Sequence, residues 1–452
     1  MIPRLFGTNG IRGVVGLDMT VDLALRVGKA VGSFLARGPV AIGRDTRTSG
    51  PMLRDAVVAG LLATGHDVVD AGVLPTPALQ YSVHAGRFSG GIVITASHNP
   101  AEFNGIKVVD RLGMEISRPE EEAIEALYFR KESALADWKA VGHPREDTTA
   151  LGRYLDGILS KVNVEPILAA KFRVVVDCGN GAGCVASPAL LSRLGCEVIS
   201  LNGHPDGAFP GRPPEPVREN LVALLRQVRE SGAHLGVAHD GDADRAIFVD
   251  ERGEFIFGDR TLALIAKDIV SRKPGIVVTP VSSSKCLEDV VREAGGTVRY
   301  TKVGAPIVAR TMYDEGAVFG GEENGGMIFP EHQFCRDGAM TLAKLLEIVA
   351  RAKRPLSRLL GELPEYSLYK TSIRYRAAER DTILERLKSA ASGMRVDDTD
   401  GIKVHYDDGW VLVRPSGTEP IFRIFAEART EERARALAGE GEALLRKAMV
   451  GA

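Results

Sequence analysis

The chain has 452 residues, 44% hydrophobic and 26% charged, with a net charge of −2. That length suggests about three or four domains, with enough apolar residues for true cores. The near-neutral balance excludes a global pull toward nucleic acid or a membrane, and leaves room for a local basic pocket that takes a small anion.

In chain order, the first motif is Phe6-Gly7-Thr8-Asn9-Gly10-Ile11-Arg12-Gly13, glycine-rich with one arginine. It is too irregular for a dinucleotide or P-loop fingerprint, and no G-x-x-x-x-G-K-[ST] occurs. Three later segments follow one plan. Each opens on an apolar strand-like run: Pro39 to Asp45, Phe172 to Asp177 and Gly275 to Pro280. Each continues through a helical stretch and a glycine (Gly65, Gly195, Gly295) into a second strand. Each then delivers a third strand ending in an unusual loop. Gly91 to Ile94 enters Thr95-Ala96-Ser97-His98-Asn99-Pro100; Leu235 to Ala238 enters Asp240-Gly241-Asp242-Ala243-Asp244-Arg245; Ala317 to Phe319 enters Gly320 to Gly326. Strands alternating with helices predict an α/β fold, in which ligands bind beyond the carboxyl ends of strands. The Pro-rich run Pro205 to Pro216 reads as a loop. From about Glu365 the pattern changes to strand-like runs (Tyr369 to Arg374, Val411 to Arg414, Phe422 to Glu427) mixed with two helices, a smaller α+β domain. The expected domains are 1–148, 149–250, 251–364 and 365–452.

The five cysteines, Cys178, Cys184, Cys196, Cys286 and Cys335, are odd in number and form no C-x-x-C pair. Reduced thiols are expected rather than a disulfide framework or zinc site. The opening Met1-Ile2-Pro3-Arg4 has no apolar signal core, and no run reaches the roughly 18–20 apolar residues of a membrane span. A cytoplasmic protein without nucleic-acid or membrane partners is expected.

Ser97 sits where Asn99-Pro100 ends regular structure. A bare serine is a poor nucleophile and needs a base or a metal; the loop is not a G-x-S-x-G elbow. Lys107 follows closely and could add a positive charge or a proton relay. Asp240, Asp242 and Asp244 alternate with small residues, so a curled loop can gather their carboxylates. Two bare carboxylates at 4 Å repel by about 4 kcal/mol at an effective dielectric of 20. A hard cation such as Mg²⁺ would relieve this. The spacing, with Glu251 twelfth, imitates an EF-hand, but the sixth residue is Arg245 and the flanks read as strands. Glu322 and Asn324 lie in a glycine-dense loop, where a carboxylate and an amide can meet sugar hydroxyls. Arg414-Pro415-Ser416-Gly417-Thr418-Glu419-Pro420, with Arg423 beyond, offers charge, hydroxyls and backbone donors suited to a phosphate.

Together these loops resemble the α-D-phosphohexomutase family, with four motifs in the family's order from Leu5 to Arg423. The resemblance implies four domains around a central cleft: three related α/β/α domains and a C-terminal α+β domain. It implies interconversion of hexose 1- and 6-phosphates through a phosphoserine at Ser97 and a 1,6-bisphosphate intermediate or activator. Ser97, Asp240, Asp242 and Asp244 would hold Mg²⁺. Arg12, His98, Lys107 and Arg245 would line the reaction centre, with His98 or Lys107 as the base. Lys285, Glu322 and Asn324 would contact the sugar, and Arg414, Ser416, Gly417, Thr418 and Arg423 the other phosphate. Asn324 and Gly326 depart from the serine and histidine of many bacterial members, and Ala305 from a histidine of some phosphomannomutases. These departures bear on sugar identity. A phosphomannomutase/phosphoglucomutase is the first expectation and a phosphoglucosamine mutase the second. A Mg²⁺-dependent sugar phosphatase or a non-catalytic sugar-phosphate sensor are readings from other classes. Homo-oligomerisation is left open.

Overall fold

Three of the apolar runs form the middle of three sheets built alike. In the computed structural model, which describes residues 4–416 and 420–450, Val40–Arg44 lies parallel to Val68–Val73 on one side and Gly90–Ile94 on the other. Gly90–Ile94 then turns back into antiparallel Phe103–Val109. Arg173–Asp177 lies in the same way between Glu197–Leu201 and Leu235–His239, with Ala246–Asp250 antiparallel. Ile276–Pro280 lies between Thr297–Thr301 and Phe319–Gly321, with Met327–Phe329 antiparallel. Parallel strands need crossovers that cover the sheet, so the inner strands Val40–Arg44, Arg173–Asp177 and Ile276–Pro280 are apolar and largely buried, whereas the outer strands Glu197–Leu201 and Thr297–Thr301 are mostly half-buried or exposed. The crossover helices Gly50–Ala63, Gly183–Arg193 and Lys285–Glu293 each end shortly before a left-handed glycine, Gly65, Gly195 or Gly295.

The loop from the third strand to its antiparallel partner falls at one and the same joint in every sheet: residues 95–102, 240–245 and 322–326. The fourth sheet is wholly antiparallel, in the order Ser367–Arg374, Ile421–Ala428, Gly409–Pro415, Ile402–His405 and Val396–Asp397. Helices Arg380–Ala390 and Glu431–Val450 pack on it through Ile383, Leu387, Leu437 and Leu445. Three α/β/α layers plus an α+β unit is the architecture expected. In detail, Phe255–Ile256 pairs with Ala246–Asp250, so the second sheet continues past residue 250, and Pro144–Glu146 closes one edge of the first sheet.

Helix Gly338–Ala352 is buried from Gly338 through Ala350 and runs through the middle of the molecule. Asp337 caps it by accepting from the Met340 amide at 2.9 Å. The same carboxylate accepts from Tyr154 Oη at 2.6 Å and from Gln333 Nε2 at 2.9 Å, and Gln333 also donates to Pro77 O at 3.1 Å. One continuous apolar core joins Leu79, Val174, Phe248, Leu262 and Leu346, whereas the fourth sheet has a core of its own. That last unit meets the third sheet through Val281, Trp410, Leu412 and Phe425, and through Lys403, which donates to Val281 O at 2.7 Å. Among the described residues no helix is long and apolar enough to cross a membrane.

Candidate active site

Ser97 has φ 52°, a left-handed conformation that a non-glycine residue keeps only when its surroundings impose it. Arg47 imposes it. Its buried guanidinium donates to Ser97 O at 2.8 Å, Asn99 O at 2.6 Å, Pro100 O at 2.6 Å and Phe103 O at 2.8 Å. Asp45 orients Arg47 through an Nε contact of 3.1 Å and accepts from Thr95 Oγ1 at 2.6 Å; Thr95 Oγ1 accepts from the Ser97 amide at 2.9 Å. Burial pushes the Asp45 carboxyl upward, and Arg47 and Thr95 oppose that shift. Phe209, from the loop after the second sheet's edge strand, lies under the Arg47 guanidinium at 5.0 Å.

The aspartate loop meets the serine loop directly. Ser97 Oγ donates to Asp240 Oδ2 at 2.7 Å. Between the aspartates, Gly241 approaches so closely that an added Cβ would lie 2.4 Å from Ser97 O. Asp242 Oδ2 accepts from Thr76 Oγ1 at 2.6 Å and Lys107 Nζ at 2.8 Å. Asp244 Oδ2 accepts from Lys107 at 3.3 Å and from Arg336 Nη2 at 2.5 Å.

One oxygen from each of the three aspartates lies within 4.8 Å of the others, and all three residues are buried. Asp242 Oδ1 and Asp244 Oδ1 are buried without a hydrogen-bond partner. Such orphaned carboxylate oxygens are costly unless a cation satisfies them, so the donor set fits a hard divalent ion. Burial, then the charges of Asp244 and Asp242, push the Asp240 carboxyl up to about 7. Burial acts the same way on Asp242, but Lys107 and Thr76 outweigh it and hold that carboxyl low.

Around this pair of loops stand the cations. Arg12 donates to Asn99 Oδ1 at 2.8 Å and Ala96 O at 3.2 Å. Arg245 donates its amide to Asp240 Oδ1 at 3.2 Å, and its Nη2 lies 3.1 Å from His98 Nδ1. His98 Nδ1 lies 3.4 Å from Ser97 Oγ. Burial, together with Arg245, Arg12 and Arg336, depresses the His98 imidazole to about 2, leaving it neutral. Burial alone would lower Lys107, but Asp242, Asp244 and Glu115 raise it on balance.

The third loop reaches the same place through Arg336, which donates from Nη1 to Glu322 Oε2 at 2.9 Å. Gly325 O accepts the amide of Ala246, just after the aspartate loop, at 3.0 Å. Asn324 is turned onto its own loop, where Oδ1 accepts from the Gly326 amide at 3.1 Å. In the fourth sheet Arg414 is bound to Asp400 at 2.8 Å and lies opposite Arg423 in the ladder, and Ser416, just past the strand, donates its amide to Ile421 O at 2.8 Å. Asp400 also accepts from the Val303 amide at 3.1 Å, and a Cβ on the adjacent Gly304 would lie 3.7 Å from Thr8 Cγ2, so the first, third and fourth units share a rim. Gly417 and Thr418 lie outside the described residues.

Lys285 is not brought to this cluster. Its Nζ pairs with Asp289 at 3.1 Å on its own helix, beside a groove of about 470 Å³ lined by Tyr300, Lys403 and Trp410. Glu251, the twelfth residue of the EF-hand imitation, instead accepts from the Ser357 amide at 3.1 Å. Two arginines that organise the site, Arg47 and Arg336, were not singled out by sequence. The available signal for Arg47 was its position at the carboxyl end of an apolar strand, in Arg44-Asp45-Thr46-Arg47.

Residues 3–135, 152–253 and 257–366 match alpha/beta/alpha domains I, II and III described for phosphoglucomutase/phosphomannomutase, and residues 373–443 match the C-terminal domain of the same description. A Thermococcus kodakarensis protein named phosphoglucomutase/phosphomannomutase is 46% identical, covering 99% of this chain and 100% of its own. A Methanopyrus kandleri protein named a probable phosphoglucosamine mutase is also 46% identical, covering 98% of each chain. The crystal structure of a phosphoglucomutase/phosphomannomutase family protein from Burkholderia thailandensis superposes with a TM-score of 0.90 at 31% identity, over 100% of this chain and 99% of that one.

Proposed function

The chain belongs to the phosphoglucomutase/phosphomannomutase family of α-D-phosphohexomutases and is a phosphohexomutase; from that premise we propose that it interconverts the 1- and 6-phosphates of a neutral hexose with Ser97 as the phosphate carrier. The observation that carries the reading is the 2.7 Å hydrogen bond from Ser97 Oγ to Asp240, which joins a strained serine to a buried cation-binding triad.

The two oxygens lie at opposite ends of the sugar, so a single bound pose cannot pass a phosphate between them. A carrier can. The Ser97 Oγ–P bond breaks as a sugar hydroxyl oxygen bonds to the same phosphorus, and the hydroxyl proton goes to a neighbouring base, the neutral His98 imidazole or, once it has given up its own proton, Lys107. The resulting 1,6-bisphosphate turns end for end. Its other phosphate then returns to Ser97 Oγ, the proton returns to the sugar oxygen, and the isomeric monophosphate leaves. Asp240, Asp242 and Asp244, with an oxygen of Ser97 or its phosphate, would hold a cation such as Mg²⁺, which supplies charge neutralisation at the moving phosphoryl group. Arg12 and Arg245 add positive field from fixed positions. Arg414, Ser416, Gly417, Thr418 and Arg423 would bind whichever phosphate is not reacting, while Glu322 and Asn324 read sugar hydroxyls.

The preference for a neutral sugar rests on Arg336. Glu322 is already ion-paired to it at 2.9 Å, so the ammonium of an aminohexose would meet a partly neutralised carboxylate with a guanidinium beside it. This favours mannose or glucose phosphates over glucosamine phosphate.

A coupled assay across mannose, glucose and glucosamine 1-phosphates, with mass spectrometry of Ser97, tests the reading. The wild type is expected to carry phosphate on Ser97 and to favour a neutral hexose. Ser97→Ala should lose about 10⁴-fold or more in kcat, as when a covalent nucleophile is removed elsewhere. A fully active, phosphate-free enzyme would remove the carrier. Preference for glucosamine 1-phosphate would replace the neutral sugar by the aminosugar.

A further inference from the structure

Gly326 is a glycine whose reason lies outside its own backbone. Its neighbours Gly321 and Gly325 have φ of 159° and 88°, but Gly326 is not among the residues with positive φ. Any L-residue could adopt its conformation. What forbids a side chain is Arg336: a Cβ at position 326 would lie 2.2 Å from Arg336 Cδ, 3.0 Å from Cγ and 3.2 Å from Nε. Arg336 ends the strand Gln333–Arg336, where it pairs with Ile328, two residues beyond the glycine, so its side chain folds back over the loop.

The far end of that side chain is fixed. The guanidinium forks, with Nη1 on Glu322 Oε2 at 2.9 Å and Nη2 on Asp244 Oδ2 at 2.5 Å. Arg336 and Glu322 are each 5% exposed. A planar fork with two carboxylates holds both in angle as well as distance, which a lysine ammonium does not do. Arg336 cannot swing aside without stripping buried Glu322 of its ion pair and leaving Asp244 to Lys107 and the more distant Arg245, so it does not readily make room for a residue at 326.

We propose that Arg336 is the positioning residue of the sugar-reading carboxylate Glu322, and that Gly326 is required because Arg336 occupies the space beside it. The proposal rests on the reading of Glu322 as a sugar contact. Arg336 sets the Glu322 carboxylate before the sugar arrives, so that its other oxygen meets a hydroxyl with little ordering cost. It also ties the sugar loop to the aspartate loop through Asp244. The substrate class that benefits is the neutral hexose phosphate, and the benefit is in sugar binding rather than phosphate binding.

The test compares full-length wild type with Arg336→Lys, Arg336→Met, Gly326→Ala and the double variant Gly326→Ala/Arg336→Met. Titration calorimetry measures binding of the preferred hexose 1-phosphate and, separately, of inorganic phosphate; steady-state assays give kcat and KM. Arg336→Met and Gly326→Ala should each weaken hexose-phosphate binding and raise KM at least tenfold, with a smaller fall in kcat and unchanged affinity for inorganic phosphate. Arg336→Lys should recover part of the loss. In the double variant Gly326→Ala should add nothing, because the side chain it displaces is gone. Wild-type sugar affinity in Arg336→Met, or equal loss of phosphate affinity, overturns the positioning role; additive effects in the double variant overturn the pairing. If Arg336→Met does not fold, Arg336→Lys and Gly326→Ala carry the same comparison. Absence of mutase activity in the wild type would instead remove the functional reading itself.

Discussion

Arg47 makes four hydrogen bonds to carbonyls of the serine loop and one to Asp45, and none of its donors faces water. With four carbonyls gathered on one cation, the loop cannot relax Ser97 out of its left-handed conformation. Arg47→Met strands four loop carbonyls and the buried Asp45, so it should lower the melting temperature and, in the protein that remains folded, lower kcat about 10²-fold, the usual cost of roughly 1 Å of misplacement at a reacting group. Phosphate occupancy of Ser97, read by mass spectrometry, should fall with it. A second residue-scale prediction concerns Asp259. Burial, then the charge of Glu323, pushes its carboxyl up to about 8, while its Oδ1 accepts from the Ser284 amide at 3.1 Å. A carboxyl raised above its unfolded value favours the protonated folded state, so stability falls as pH rises from about 4 toward 8. Asp259→Asn keeps the acceptor and removes the charge; its melting temperature should match the wild type near pH 4 and exceed it increasingly up to pH 8. A constant offset across that range would contradict the raised carboxyl. Arg47 and Arg336 also mark where the sequence stops being readable at this scale. Asp244 and Glu322 are 92 and 14 residues from Arg336, and an arginine without a visible partner reads as a surface cation. Lys285 shows the converse, a motif lysine whose own helix supplies its carboxylate.

At the scale of strands and loops, much more was legible. Val40–Arg44, Arg173–Asp177 and Ile276–Pro280 are largely apolar runs buried on both faces, and that property is written in the residues themselves. The short hairpin Met327–Phe329 and Gln333–Arg336 was not foreseen, because three or four residues carry too little periodicity. The gathering of the three aspartate carboxylates was legible from their spacing, but the contact of their loop with the serine loop was not. That contact depends on Gly241. Gly241→Ala would drive a methyl into the Ser97 carbonyl and part the two loops. The expected result is a kcat loss of about 10²-fold with a melting temperature lowered by only a few degrees. Unchanged kcat would mean that the loops separate without consequence.

For the whole molecule, the distinction that matters is between the shared core and the separate one. Three sheets share apolar packing and the Asp337 junction, while the fourth unit has its own core and a narrow joint. Scanning calorimetry should therefore resolve two transitions, the smaller belonging to residues of the fourth unit. Lys403→Met should shift the smaller one. Lys403 is buried against Trp410 at 3.9 Å and donates to Val281 O, and burial lowers its ammonium to about 8. A single transition that moves as one in the variant would show that the joint is as strong as the cores. The four-unit plan was visible in the alternation of strands and helices, but the course of helix Gly338–Ala352 through the centre was not, since burial on every side is a tertiary fact.

The repeated joint has a further consequence. Carrier, cation loop and sugar loop issue from equivalent points of three sheets, so on the proposed reading each can drift in sequence while the other two are kept. Substrate range and reaction chemistry are then separately heritable. Arg336 is where the two lineages of change are tied together, because one side chain answers to both Asp244 and Glu322.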